Sequence, residues 1–188
     1  GAHLGHAVVV DPAGVVTHAW GDPQTVIFPR SSNKPAQATA MVEAGLDLPE
    51  RLLALASSSH SGEPLHLEAV AEILVLAGLS VSDLRTPPDY PLDEVERDAW
   101  VRAGRDAEPL GMNCSGKHAA MLLVCVSNGW PTDSYPDPAH PLQVAVRATL
   151  ERLAGERVAH VGVDGCGAPV MSLTLAGLAR SLSRSVQA

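Results

Sequence analysis

The chain has 188 residues, enough for one well-buried core and too few for two large domains. Hydrophobic residues make up 46% and charged residues 18%, a globular composition, and a formal charge of -8 argues against a nucleic-acid backbone as partner. Three sparse cysteines, Cys114, Cys125 and Cys166, build no disulfide framework and point to a reducing cytoplasm, while no apolar run reaches membrane-spanning length.

His6 to Val10 and Gly14 to Ala19 are predicted as two strands around a tight Asp11–Gly14 turn, with a third short strand over Thr25 to Phe28. A helix follows from about Ser32 to Ala44, with Pro35 in its first turn and Gly45 at its end. Leu52 to Ala56 reads as a short apolar strand leading into the polar loop Ser57–Glu63. Helices are predicted over Pro64–Leu76, Asp93–Arg102, Ser115–Val126, Pro141–Ala154 and Ser172–Leu182, with Ser82 as a cap after the first and a strand over His160–Val163. Short strands among longer helices predict a mixed α/β (α+β) domain spanning 1–188. The opening without Met and the ending inside a helical pattern suggest a domain incomplete at both ends.

The most informative run is Arg30-Ser31-Ser32-Asn33-Lys34. Positions i and i+3 share a helix face, so Ser31 and Lys34 can meet. A lysine made neutral by burial or by a nearby cation such as Arg30 can take the proton of a serine attacking a carbonyl. The same residues also fit a plain helix cap beside a solvated lysine. Ser59-His60-Ser61-Gly62 is a second small polar cluster: Ser59 is a candidate oxyanion donor or nucleophile and His60 a candidate base, against an ordinary capping loop.

Two cysteine clusters follow, Asn113-Cys114-Ser115-Gly116-Lys117-His118 and Asp164-Gly165-Cys166-Gly167. Cys114, at a helix start, is expected to be acidified. If the fold joins the two corners, two thiolates would suit a soft tetrahedral metal such as zinc, with His118, Asp164 or a neutral Lys117 as third ligand. A pair of buried small hydrophobes, or a Cys114 nucleophile with His118, are the alternatives. Cys125 lies mid-helix among aliphatic residues and reads as core.

These segments, in this order, resemble the thermolabile, rhizobial-type L-asparaginase (asparaginase II) family, with His140-Pro141-Leu142-Gln143 and the opening His6–Asp11 fitting as well. The resemblance implies hydrolysis of L-asparagine to L-aspartate and ammonia by a cytoplasmic homodimer with no membrane or nucleic-acid partner. It implies a central, mainly antiparallel sheet with packed helices, as in serine β-lactamases, penicillin-binding proteins and serine-dependent glutaminases. By motif it puts catalytic roles on Ser31, Lys34 and Ser59, and zinc ligation on Cys114, Lys117 and Cys166. Arg30, His60, Asn113, His118 and Asp164 become substrate-site residues. The family's second catalytic lysine has no counterpart in these 188 residues. The alternatives are a related amidohydrolase acting on glutamine or another amide, and an inactive zinc-binding domain.

Overall fold

The computed structural model describes residues 1–187. The largely β-branched run Ala7–Val10 forms β1, which pairs in a hairpin with β2 (Val16–Trp20), and β3 (Val26–Ile27) follows. A short 3-10 turn over Arg30–Asn33 runs straight into α1 (Lys34–Glu43). Next come α2 (Glu50–Ala56), α3 (Pro64–Leu76), α4 (Glu94–Arg102), α5 (Ser115–Asn128) and α6 (Pro141–Ala154). The strands β4 (Val161–Val163), β5 (Pro169–Met171) and β6 (Leu173–Thr174) lead into α7 (Leu175–Ser185). Every strand pairing is antiparallel, in three two-stranded sheets: β1 with β2, β3 with β6, and β4 with β5. The result is the expected mixed fold of antiparallel strands with packed helices. Among the described residues no helix is long and apolar enough to cross a membrane.

α5 is the central helix. Its residues are buried on nearly all sides, the property of a helix apolar all round. It packs on α3, α2 and α1, and α6 joins α1 and α7 behind it. Gly116 sets how closely α5 approaches α2, because a Cβ there would sit 2.8 Å from Leu55 Cγ. That approach puts the first turn of α5 beside the loop that follows α2.

Local chemistry explains most boundaries. His140 caps α6 by accepting from the Leu142 N–H (3.1 Å), with Pro141 in the first turn, and Gly129 and Gly155 end α5 and α6 in left-handed conformations. Three expectations fail. Leu52–Ala56 belongs to a helix rather than a strand, because Pro49 and Glu50 start a helical turn that buries Leu52, Leu55 and Ala56 on one side. Ser80, not Ser82, caps the turn after α3, in a reciprocal box with Asp83. The last helix starts at Leu175 rather than Ser172, because the preceding residues pair as β6 and Thr174 caps the helix through Gly177 N–H (2.9 Å).

Candidate active site

Three segments converge: the turn into α1, the loop after α2, and the start of α5, with the β4–β5 corner closing the group. Lys34 is the first residue of α1 and is only 2% exposed. Its Nζ donates to Ser58 O and to Ser59 Oγ, each at 2.8 Å. Burial lowers the Lys34 amine, against an opposing pull from the neighbouring Cys114 thiol. Ser31 and Ser59 are both exposed. Among the described residues no hydrogen bond joins Ser31 Oγ to Lys34. Arg30–Asn33 form a 3-10 turn in which the Ser31 carbonyl accepts from the Lys34 backbone N–H, while the Lys34 amine is turned to Ser58 O and Ser59 Oγ.

Arg30 has φ 49°, the one non-glycine residue with positive φ among those described. A left-handed conformation there costs on the order of 1–3 kcal/mol. It directs the guanidinium to Asp164, with Nε to Oδ1 at 2.8 Å, and the arginine side chain stays 69% exposed. Both residues line an open cleft of roughly 280 Å³ with Phe28, Val163 and Gly165. The β4–β5 corner is closed by Gly167 N–H to Asp164 O and Asp164 N–H to Ala168 O, both 2.9 Å, and Gly167 takes φ +84°. That corner carries Cys166 inward and Asp164 outward.

Cys114 and Cys166 are both buried and pack in one small cluster with Met112 and Ala168. Lys117 Nζ lies 3.4 Å from Cys166 Sγ, and Cys114 Sγ contacts Asn113 Oδ1 at 3.1 Å. Acidification falls on Cys166 rather than on Cys114. The Cys114 hydrogen bond holds the Cys166 thiol well below its ordinary range, helped by His118 and Lys117, and the same pairing, with burial, pushes Cys114 up. Two thiols packed together do not both ionise readily, and Cys166 has the better-placed cation in Lys117.

The donors suit a soft metal. In a tetrahedral zinc shell, ligating nitrogen and sulfur lie roughly 3.5 Å apart, close to the Lys117–Cys166 separation. The set holds two sulfurs and one amine that must be neutral to ligate. Among the described residues no group of three or more His, Cys, Asp or Glu side chains is arranged for a metal, so the Lys117 amine is the nitrogen donor that stands beside Cys166.

His60 and His118 lie beneath this surface. His60 is 3% exposed and its Nε2 is 2.8 Å from Ser115 Oγ, whose hydroxyl donates to Leu110 O (2.9 Å). The serine therefore accepts, and His60 carries its proton on Nε2. Its backbone N–H also donates to Asn113 O at 3.1 Å. His60 thus ties the Ser59 loop to α5 and does not stand in the cleft. His118 is fully buried, and its Nδ1 lies 2.7 Å from Tyr135 OH. Burial lowers both imidazoles to about 4. Cys125 is core, its thiol pushed up to about 11 by burial. Tyr135 was not legible as a site residue; the available signal is an isolated tyrosine, one of two in the chain, between Pro131 and Pro136.

No curated protein sequence matches the chain. The sequence model of the L-asparaginase II family matches residues 1–188, so the chain belongs to that family, and with membership comes a hydrolase of the amidohydrolase type.

Proposed function

We propose that the protein hydrolyses L-asparagine to L-aspartate and ammonia, with Lys34 as general base and Ser59 as the hydroxyl it activates. The observation that carries this reading is the buried Lys34 amine, 2.8 Å from the exposed Ser59 Oγ. Burial lowers the Lys34 amine and so favours the neutral form that can take the Ser59 proton. Ser59 Oγ then attacks the side-chain amide carbon, forming a C–O bond. The proton held on Lys34 passes to the amide nitrogen, the C–N bond breaks and ammonia leaves. Water, deprotonated by Lys34, cleaves the ester and returns the proton to Ser59. Arg30 and Asp164, paired at the cleft, suit the α-carboxylate and α-amine of an amino-acid substrate.

Cys114, Lys117 and Cys166 would hold zinc, with Asn113 and His118 around them. Bound there, zinc supplies a fixed positive charge beside the cleft for substrate positioning. A second reading makes Ser31 the nucleophile. It is favoured by the exposure of Ser31 at the mouth of the same turn and by its position three residues before Lys34. A single domain over 1–188 follows from the chain length, a cytoplasmic location from the sparse cysteines, and a homodimer acting on asparagine from the family resemblance.

The test is ammonia release from L-asparagine and L-glutamine by wild type, Ser59→Ala and Ser31→Ala, with zinc content measured in each. The expected result is asparagine turnover that falls roughly 10²-fold or more in Ser59→Ala with zinc retained. Loss confined to Ser31→Ala selects the second reading. Turnover of glutamine alone changes the substrate, and no turnover by folded, zinc-loaded protein sinks the hydrolase role of this site.

A further inference from the structure

The donors and acceptors around His118 can be assigned one by one. Tyr135 is fully buried, and its OH accepts from the Arg85 backbone N–H at 3.0 Å. The phenol has one proton to give, and His118 Nδ1 lies 2.7 Å away. An N–H on Nδ1 would leave that phenol proton without an acceptor in a buried site, so Nδ1 is the acceptor and the imidazole proton is on Nε2. His118 Nε2 is buried and has no hydrogen-bond partner. Besides burial, the Cys166 side chain acts on the imidazole, and its sulfur lies 3.4 Å from the amine of the adjoining Lys117. The tyrosine is itself fixed, because its backbone carbonyl accepts from Gln143 Nε2 at 2.8 Å and its ring meets the imidazole edge-on, with centroids 5.5 Å apart.

We propose that Tyr135 is a positioning residue: through the relay Arg85 N–H, Tyr135 O–H and His118 Nδ1, it holds His118 in the Nε2–H tautomer and so presents one N–H to the Cys166 sulfur. Rotation of the ring or a change of tautomer would remove that N–H from the cysteine. The functional consequence rests on the proposed metal site, where a donor to the sulfur steadies the ligand. The relay itself does not depend on metal.

The test uses the full chain labelled with 15N at histidine. Long-range proton–nitrogen correlations of the His118 ring, recorded without metal, should give the Nε2–H pattern in wild type. Tyr135→Phe keeps the ring and removes only the hydroxyl. It should lose the single-tautomer signature and release zinc to a competing chelator with affinity lowered roughly 10–100-fold. An Nδ1–H tautomer in wild type overturns the proposal, as does a folded Tyr135→Phe protein with unchanged tautomer and zinc affinity. Should the variant not fold, the wild-type tautomer decides. A wild type that takes up no zinc overturns the metal site and the role built on it, whereas the metal-free spectrum judges the relay separately.

Discussion

Lys34 and Lys117 occupy matching places. Each lies in the first turn of a helix, three residues after a nucleophilic side chain, and each is almost completely buried. Their partners differ. Lys34 donates to two oxygens of the Ser58–Ser59 loop, whereas Lys117 meets the Cys166 sulfur. In neither case is the partner of the side-chain amine the residue three positions earlier. The helix start brings the lysine in, and a loop from elsewhere in the chain sets its partner; under the proposed function the first contact serves hydroxyl activation and the second soft-metal ligation.

The largest expected effect comes from separating the two. Lys34→Met should reduce asparagine hydrolysis by roughly 10²–10⁴-fold, the range for loss of a general base, while zinc content stays as in wild type. Lys117→Met should do the reverse to the metal, leaving two sulfurs without their amine and lowering zinc retention in a chelator titration. If both variants lose zinc equally, Lys34 also supports the metal site and the division of labour fails.

Much of this was legible in the sequence. The helices over Pro64–Leu76 and Pro141–Ala154 have the boundaries that Pro and Gly punctuation predicts, and both lysines were visible at their i,i+3 spacing. The bonds of Lys34 and Lys117 were not, because they span 25 and 49 residues of chain and depend on how α2 and the β4–β5 corner pack. Leu52–Ala56 misled because a short apolar run has no period long enough to separate strand from helix. The ionisation order of the cysteines depends on the packing together of two thiols, which no local spacing encodes.

A smaller effect concerns the link between the two regions. His60 joins the Ser59 loop to Ser115, and its imidazole is pushed from 6.5 to about 4, chiefly by burial. The unfolded chain then binds a proton that the folded one refuses between these values. Stability is therefore present above about pH 6.5 and declines as pH falls toward 4, by about 3 kcal/mol from this group. His60→Gln, which keeps a donor for Ser115, should flatten urea midpoints over that window relative to wild type. An unchanged slope would mean that His60 does not titrate as a buried neutral ring.

The smallest effect is the one expected to touch both regions together. Gly116 has an ordinary helical backbone, so Ala is allowed there and gains up to about 1 kcal/mol of helix propensity. Its methyl would meet Leu55 Cγ at 2.8 Å and Leu55 O at 3.3 Å, and Leu55 is buried in α2. Overpacking of that kind costs about 1–3 kcal/mol, so the net loss should be about 1 kcal/mol in a urea titration. The displaced parts are the first turn of α5, carrying Lys117, and the end of α2, carrying the Ser58–Ser59 loop. Gly116→Ala should therefore weaken zinc retention and asparagine turnover together, unlike either lysine variant. In the double variant with Leu55→Ala the methyl enters space the leucine vacated. The combined stability loss should then be smaller than the sum of the two single losses. Simple additivity would show that the helix contact at Gly116 does not set the spacing between the two lysine sites.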